Sequence, residues 1–347
     1  MAVLVASRGM GVLSRNIEDY PEGIIVPVNK PYRWTSADVV RKLKFAAKKH
    51  FGQKNLKVGH AGTLDPLATG VLIICIGKAT RLAEEIQRSD KEYVAGVTFG
   101  ATTPSYDLEK PIDKFYPHDG VTPEAVAGAL KSFIGEQEQI APLFSAKSVD
   151  GVRAYELARK LYRAGSLDAL DAEAAALLSR QTIRIEAAEL ISFEGADLKG
   201  ACLLSHERSD LEGFGETALE GVCPARSCHP RSSPQRNVPF FGDPDTHARK
   251  GVRQGMPLPE QTDPSSRINV TDNSGLGLPR AEIRIACSKG TYIRAFARDL
   301  GEALGTGAHL DSLCRTACGG FRVEAALSLE DATALLAPPQ NGTIKNQ

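Results

Sequence analysis

The spacing of apolar and polar residues marks out the regular elements of this chain. Residues 24–28 (Ile-Ile-Val-Pro-Val) read as a short strand. Ser36 then offers an N-cap for a helix running to about His50, with Val39, Val40, Leu43 and Ala47 on one face. The unbroken apolar run 71–76 suits a buried strand, and 93–99 reads as another. Pro123 opens a helix over 124–134, and 154–159 begins a further one. Period-two alternation marks strands at 182–185 and 282–287, and 291–304 reads as a helix ended by Gly305 and Gly307. The pattern predicts an α+β fold with a large mixed sheet.

Between about 196 and 280 no period survives. Nine of the chain's 20 prolines fall there, from Pro224 to Pro279. Such a stretch buries too little apolar surface to offset its ordering entropy, and it is far longer than an ordinary loop. We expect a disordered insertion over 197–279 that separates two neighbouring strands. The expected layout is an N-terminal extension (1–21), a main domain (22–332) interrupted by the insertion, and a tail (333–347).

Charge changes the picture locally. Lys+Arg and Asp+Glu are both 42, which excludes a uniformly basic coat. Yet nine basic residues lie between Lys30 and Lys57 against one acid, Asp38. That stripe is either a solvated helix face or a phosphate-contacting surface. No apolar run approaches a membrane span, and no export signal is visible. We therefore expect a cytoplasmic protein whose seven cysteines are thiols.

The densest segment is Gly59-His60-Ala61-Gly62-Thr63-Leu64-Asp65-Pro66-Leu67-Ala68-Thr69-Gly70. Locally, Asp65 before Pro66 fits an N-cap of a short helix as well as a reactive carboxylate. It is not a phosphate loop, because Gly70 and Gly77-Lys78 have the wrong spacing and Ala79 follows the lysine. Cys223, Cys228 and His229 form one isolated cluster, too little for a zinc site, so no metal is expected.

The run from Lys57 to Arg81 resembles the signature of the TruB family of tRNA pseudouridine synthases. Further matches follow in order: Asn29-Lys30-Pro31 with Trp34-Thr35-Ser36, Asp90-Lys91-Glu92-Tyr93, Thr102 to Asp107, Phe144 to Lys147, and Cys287 to Arg294. Gly305 to Leu310 and Leu313-Cys314-Arg315 complete the series. The resemblance implies a pseudouridine-synthase fold, with a mostly antiparallel sheet flanked by helices. It also implies conversion of uridine 55 in the tRNA TΨC arm to pseudouridine, without cofactor or metal. Asp65 would be the nucleophile, Arg294 its partner, and Tyr93 a proton-transfer group against the flipped base. His60, Tyr292, Leu313, Lys30, Arg81, Asp107 and Arg315 would contact the substrate. The chain resembles the short bacterial forms that lack a C-terminal PUA-type domain, so a monomer acting on the T arm without guide RNA is expected. A non-catalytic RNA-binding or tRNA-folding protein on the same scaffold is the alternative, disfavoured because both Asp65 and Arg294 are present.

Overall fold

The computed structural model describes residues 2–142, 144, 148–149, 152–153, 180–196 and 263–337. The expected helix at 154–159 and the cysteine cluster at 223–229 lie outside them. Ten strands form one sheet: β1 (Leu4–Val5), β2 (Ile24–Lys30), β3 (Val58–His60), β4 (Thr69–Ile76), β5 (Lys91–Phe99), β6 (Gly135–Gln139), β7 (Gln181–Glu194), β8 (Arg280–Cys287), β9 (Ala308–Cys318) and β10 (Phe321–Arg322). Their order is β1-β2-β4-β9-β5-β8-β7-β6, with β3 paired to β4 and β10 to β9. Only β1–β2 and β4–β9 run parallel. This is a mixed, mostly antiparallel sheet, as the sequence resemblance leads one to expect.

Among the described residues five helices accompany it: α1 (Ser36–Phe51), α2 (Ala83–Arg88), α3 (Pro123–Ser132), α4 (Ile293–Ala303) and α5 (Leu329–Ala334). The apolar face of α1 (Val39, Leu43, Ala47) and that of α4 (Phe296, Ala297, Leu300) join β2, β4, β5 and β8 in one core. Val71 to Ile76 are fully buried because β4 has strands on both edges and packed faces above and below. Among the described residues no helix is long and apolar enough to cross a membrane.

Four expectations are corrected. The cap of α1 is Thr35, not Ser36: its hydroxyl accepts from Asp38 N while the Asp38 carboxylate accepts from Thr35 N, a capping box. The N-terminal extension belongs to the sheet, since β1 pairs with β2 and Leu13 N donates to Leu335 O. Leu335 and Leu336, placed in the tail, are buried core. Finally, the segment expected as disordered over 197–279 is ordered from 263 onward. It makes two short 3₁₀ turns, Pro264–Arg267 and Ser274–Leu276. Ile268 O accepts from Arg33, and Thr271 N donates to Leu108 O. The expectation of neighbouring flanking strands holds, as β7 pairs antiparallel with β8 from Ile185↔Cys287 to Glu194↔Arg280.

Candidate active site

Asp65 sits on the connection between β3 and β4. No helix follows it: Ala68 N donates to Asp65 O, closing a turn, and the carboxylate points elsewhere. Both its oxygens accept from Arg294, Oδ2 from Nε at 2.9 Å and Oδ1 from Nη2 at 3.0 Å. This is a bidentate fork, the geometry that fixes a carboxylate in plane. Arg294 lies in the first turn of α4 and is 5% exposed, whereas the Asp65 side chain is 36% exposed. The buried partner orients, and the open one can react.

Arg294 is held on its other side as well. Nη1 donates to Ser105 O at 3.1 Å and Nη2 to Phe144 O at 2.9 Å, with Asp107 Oδ2 3.7 Å from Nε. Desolvation alone would weaken the guanidinium charge, but Asp65 and Asp107 together hold it cationic. Burial in turn raises the Asp107 pKa, against the pull of Arg294 and of the Ser105 hydroxyl that donates to it.

Beneath the Asp65 loop lies a second arginine. Arg315, on β9 opposite Tyr93 of β5, is 1% exposed. Its Nε donates to Val71 O at 2.8 Å, with weaker bonds from Nη1 to Thr63 O and Nη2 to Gly62 O. Glycine is required at position 70 for this approach: its φ is +101°, and a Cβ there would lie 2.2 Å from Arg315 O. Burial pushes the Tyr93 phenol up to about 12 despite Arg315 beside it. His60, on β3, is half-buried, and burial with the nearby Arg315 charge lowers its pKa, so its ring stays neutral at pH 7.

Lys30 ends β2 and is fully buried. Its ammonium donates to Pro31 O, Trp34 O and Pro66 O at 2.9, 2.6 and 3.0 Å, tying the turn after β2 to the residue after Asp65. Burial pulls its pKa down to about 7, opposed by Asp65 and Asp38. Neither Lys30 nor Arg315 presents a free cation to substrate, contrary to the expectation for both. Their basic side chains brace the Asp65 loop from within.

A shallow, open cleft lies over this assembly, lined by Asp65, Leu67, Asp107, Arg294, Leu310 and Leu313 among others. It brings together four of the expected site residues. Tyr292 caps α4 two positions before Arg294, its backbone bonded in both directions to the Gln139 amide. Arg81 stands exposed in the 3₁₀ turn after β4, outside the cleft lining. Sequence reasoning missed the roles of Ser36, whose hydroxyl bridges Leu64 N and O, and of the Ser105 carbonyl. The first had a signal in the Trp-Thr-Ser motif; a backbone carbonyl has none.

Comparison with known proteins follows the same lines. A model of the N-terminal domain of TruB family pseudouridylate synthases matches residues 48–199, and one of the tRNA pseudouridylate synthase B C-terminal domain matches 294–342. The tRNA pseudouridine synthase B of Phocaeicola vulgatus is 39% identical over 312 residues, 90% of this chain and 92% of its own length. That of Flavobacterium johnsoniae is 32% identical, over 90% and 95%. Among solved structures, a chain of a Cbf5-Nop10-Gar1 complex is similar with a TM-score of 0.48 and 20% identity, covering 96% of this chain; this chain spans 62% of that one. Sequence likeness to the bacterial enzymes at this level, along nine-tenths of the length, means that the chain belongs to the TruB family of pseudouridine synthases.

Proposed function

We propose that this tRNA pseudouridine synthase isomerises uridine 55 in the T arm, with Asp65 as nucleophile. The observation that carries the reading is the Asp65–Arg294 fork at the floor of the cleft, in which a carboxylate is oriented by a buried cation yet left open on one side. The reaction breaks the N1–C1′ bond, turns the uracil, and forms C5–C1′. The C5 proton leaves and N1 gains one, so atoms and electrons balance within the nucleotide and water. Each Asp65 oxygen keeps a lone pair beyond the one given to Arg294, enough to form the covalent adduct. Leu67, Leu310 and Leu313 offer apolar walls to an extruded base. Tyr93, protonated at neutral pH, is suited to hand on the proton that leaves C5. On this reading the protein works as a monomer on the T arm, without guide RNA, in the cytoplasm.

The test is tritium release from a T-arm hairpin carrying C5-tritiated uridine. Wild type should release it, while Asp65→Asn should lose at least about 10³-fold in rate and still bind the hairpin. Turnover near wild type by Asp65→Asn would overturn the assignment. Tyr93→Phe should bind normally and slow release by about 10²-fold, the usual size of a lost proton-transfer group.

A further inference from the structure

The basic stripe at 30–57 is only partly absorbed by the site. Lys30 braces the Asp65 loop, and Arg33 donates to Ile268 O from a left-handed backbone, φ +61°. Lys42 lies over the Trp34 ring at 5.3 Å. The rest stands on the outer side of α1. Its buried face is Val39, Leu43, Ala47 and His50. Opposite, Arg41, Lys44, Phe45, Lys48 and Lys49 follow one another at intervals of three and four, making a continuous cationic stripe with an aromatic residue at its centre. Phe45 is 73% exposed. Lys54 and Lys57 continue the exposed basic surface past the end of the helix.

A purely structural account covers part of this. Cations in the last turn complement the helix dipole, which explains Lys48 and Lys49. It does not explain Lys44 farther up, nor a phenylalanine held in solvent, although Arg41 has a partner in Asp38. The one acid in the stretch, Asp38, is taken by Thr35 and Arg41. In a chain of zero net charge, this face is built with one sign.

Its position supplies the second observation. The Ser36 hydroxyl, in the first turn of α1, bonds both N and O of Leu64, the residue before Asp65. The helix is therefore fastened at one end to the reactive loop, and its 16 residues lead away for about 24 Å. The basic face of α1 therefore starts close to the reactive loop and runs away from it along the helix.

We infer that the outer face of α1 (Arg41, Lys44, Phe45, Lys48 and Lys49) docks the phosphate backbone of the stem that continues the tRNA helix beyond the T-arm hairpin. The assignment rests on the function proposed above. Such contacts supply affinity without sequence choice and release counterions on binding.

The experiment compares wild type with the quadruple variant R41Q/K44Q/K48Q/K49Q and with Phe45→Glu, all on exposed or half-buried positions outside the catalytic machinery. Dissociation constants for whole tRNA and for a minimal T-loop hairpin are measured over a range of KCl, alongside single-turnover tritium release at saturating RNA. The quadruple variant should bind tRNA at least tenfold more weakly at about 0.1 M salt, with the slope of log Kd against log salt reduced by roughly 3. Phe45→Glu, which sets an acid in the stripe, should weaken tRNA binding severalfold. Hairpin affinity and the saturated rate should stay close to wild type. Unchanged tRNA affinity and salt slope would overturn the inference, and equal loss for hairpin and tRNA would overturn the assignment to the stem. Weakened binding of an acidic polypeptide but not of tRNA would give the face to a protein partner instead. Wild type that releases no tritium yet shows the expected binding losses would sink the proposed function and leave this surface standing.

Discussion

Two buried arginines serve this site in opposite ways. Arg294 meets carboxylates: Asp65 in a fork and Asp107 nearby. Arg315 is equally sequestered, but it donates to the backbone carbonyls of Val71, Thr63 and Gly62. The first tunes and aims a reactive charge; the second holds the shape of the loop that carries it. A buried cation bonded to three loop carbonyls is a geometric device, and its loss should be felt as looseness before it is felt as lost chemistry.

The largest effect should come from the first. Arg294→Lys keeps the charge but cannot form the fork, so tritium release should fall by at least about 10²-fold. Thermal unfolding should show a loss of several kcal/mol, as expected when a buried pair is broken. A near-normal rate would show that orientation of Asp65 does not depend on the fork. Arg315→Lys should be milder. It leaves the Gly62 and Thr63 carbonyls without their donors, costing about 1–3 kcal/mol in stability. Its rate at saturating RNA should drop about tenfold while RNA affinity is unchanged, the signature of a positioning residue. If Arg315→Lys lost affinity rather than rate, the cation would be contacting RNA after all.

Lys30 sharpens the contrast through pH. Its pKa is about 7 in the folded protein and near 10.5 when exposed. Between those values the unfolded chain holds a proton that the folded one lacks, so this group makes stability rise with pH, by up to about 1.4 kcal/mol per unit. Wild type should therefore gain on Lys30→Met as pH goes from 7 to 10, read by denaturant unfolding. A constant difference across that range would mean the ammonium keeps its proton in the fold.

Much of this was legible in the chain. The apolar run 71–76, the face of α1 and the strands bordering the insertion all showed their period, because each buries a regular stripe. Asp65 and Arg294 stood out through motifs that lie 229 positions apart in sequence and 2.9 Å apart in space. What stayed hidden was the inward turn of Lys30 and Arg315. A lysine in a basic run reads as a solvated side chain, and only the assembled turn shows three carbonyls converging on its nitrogen. The extent of the insertion was misread for a similar reason. Residues 263–279 have no period of their own and are ordered by what they touch, Arg33 and Leu108.

That last segment sets a rule for anyone shortening the chain. Because Glu194 and Arg280 face each other across β7 and β8, the two ends of the connection are one strand apart, and a hairpin grafted there looks like the obvious trim. Splicing at Arg280 would discard the residues that hold Arg33 in place and that reach the loop behind Asp107. A join that keeps everything from Asp263 onward preserves those contacts. Connection length itself is a weak constraint there, since each doubling costs only about 0.6 kcal/mol in closure entropy. The part that has to be kept thus begins well before the strand does, and that start is drawn by two backbone hydrogen-bond partners rather than by composition.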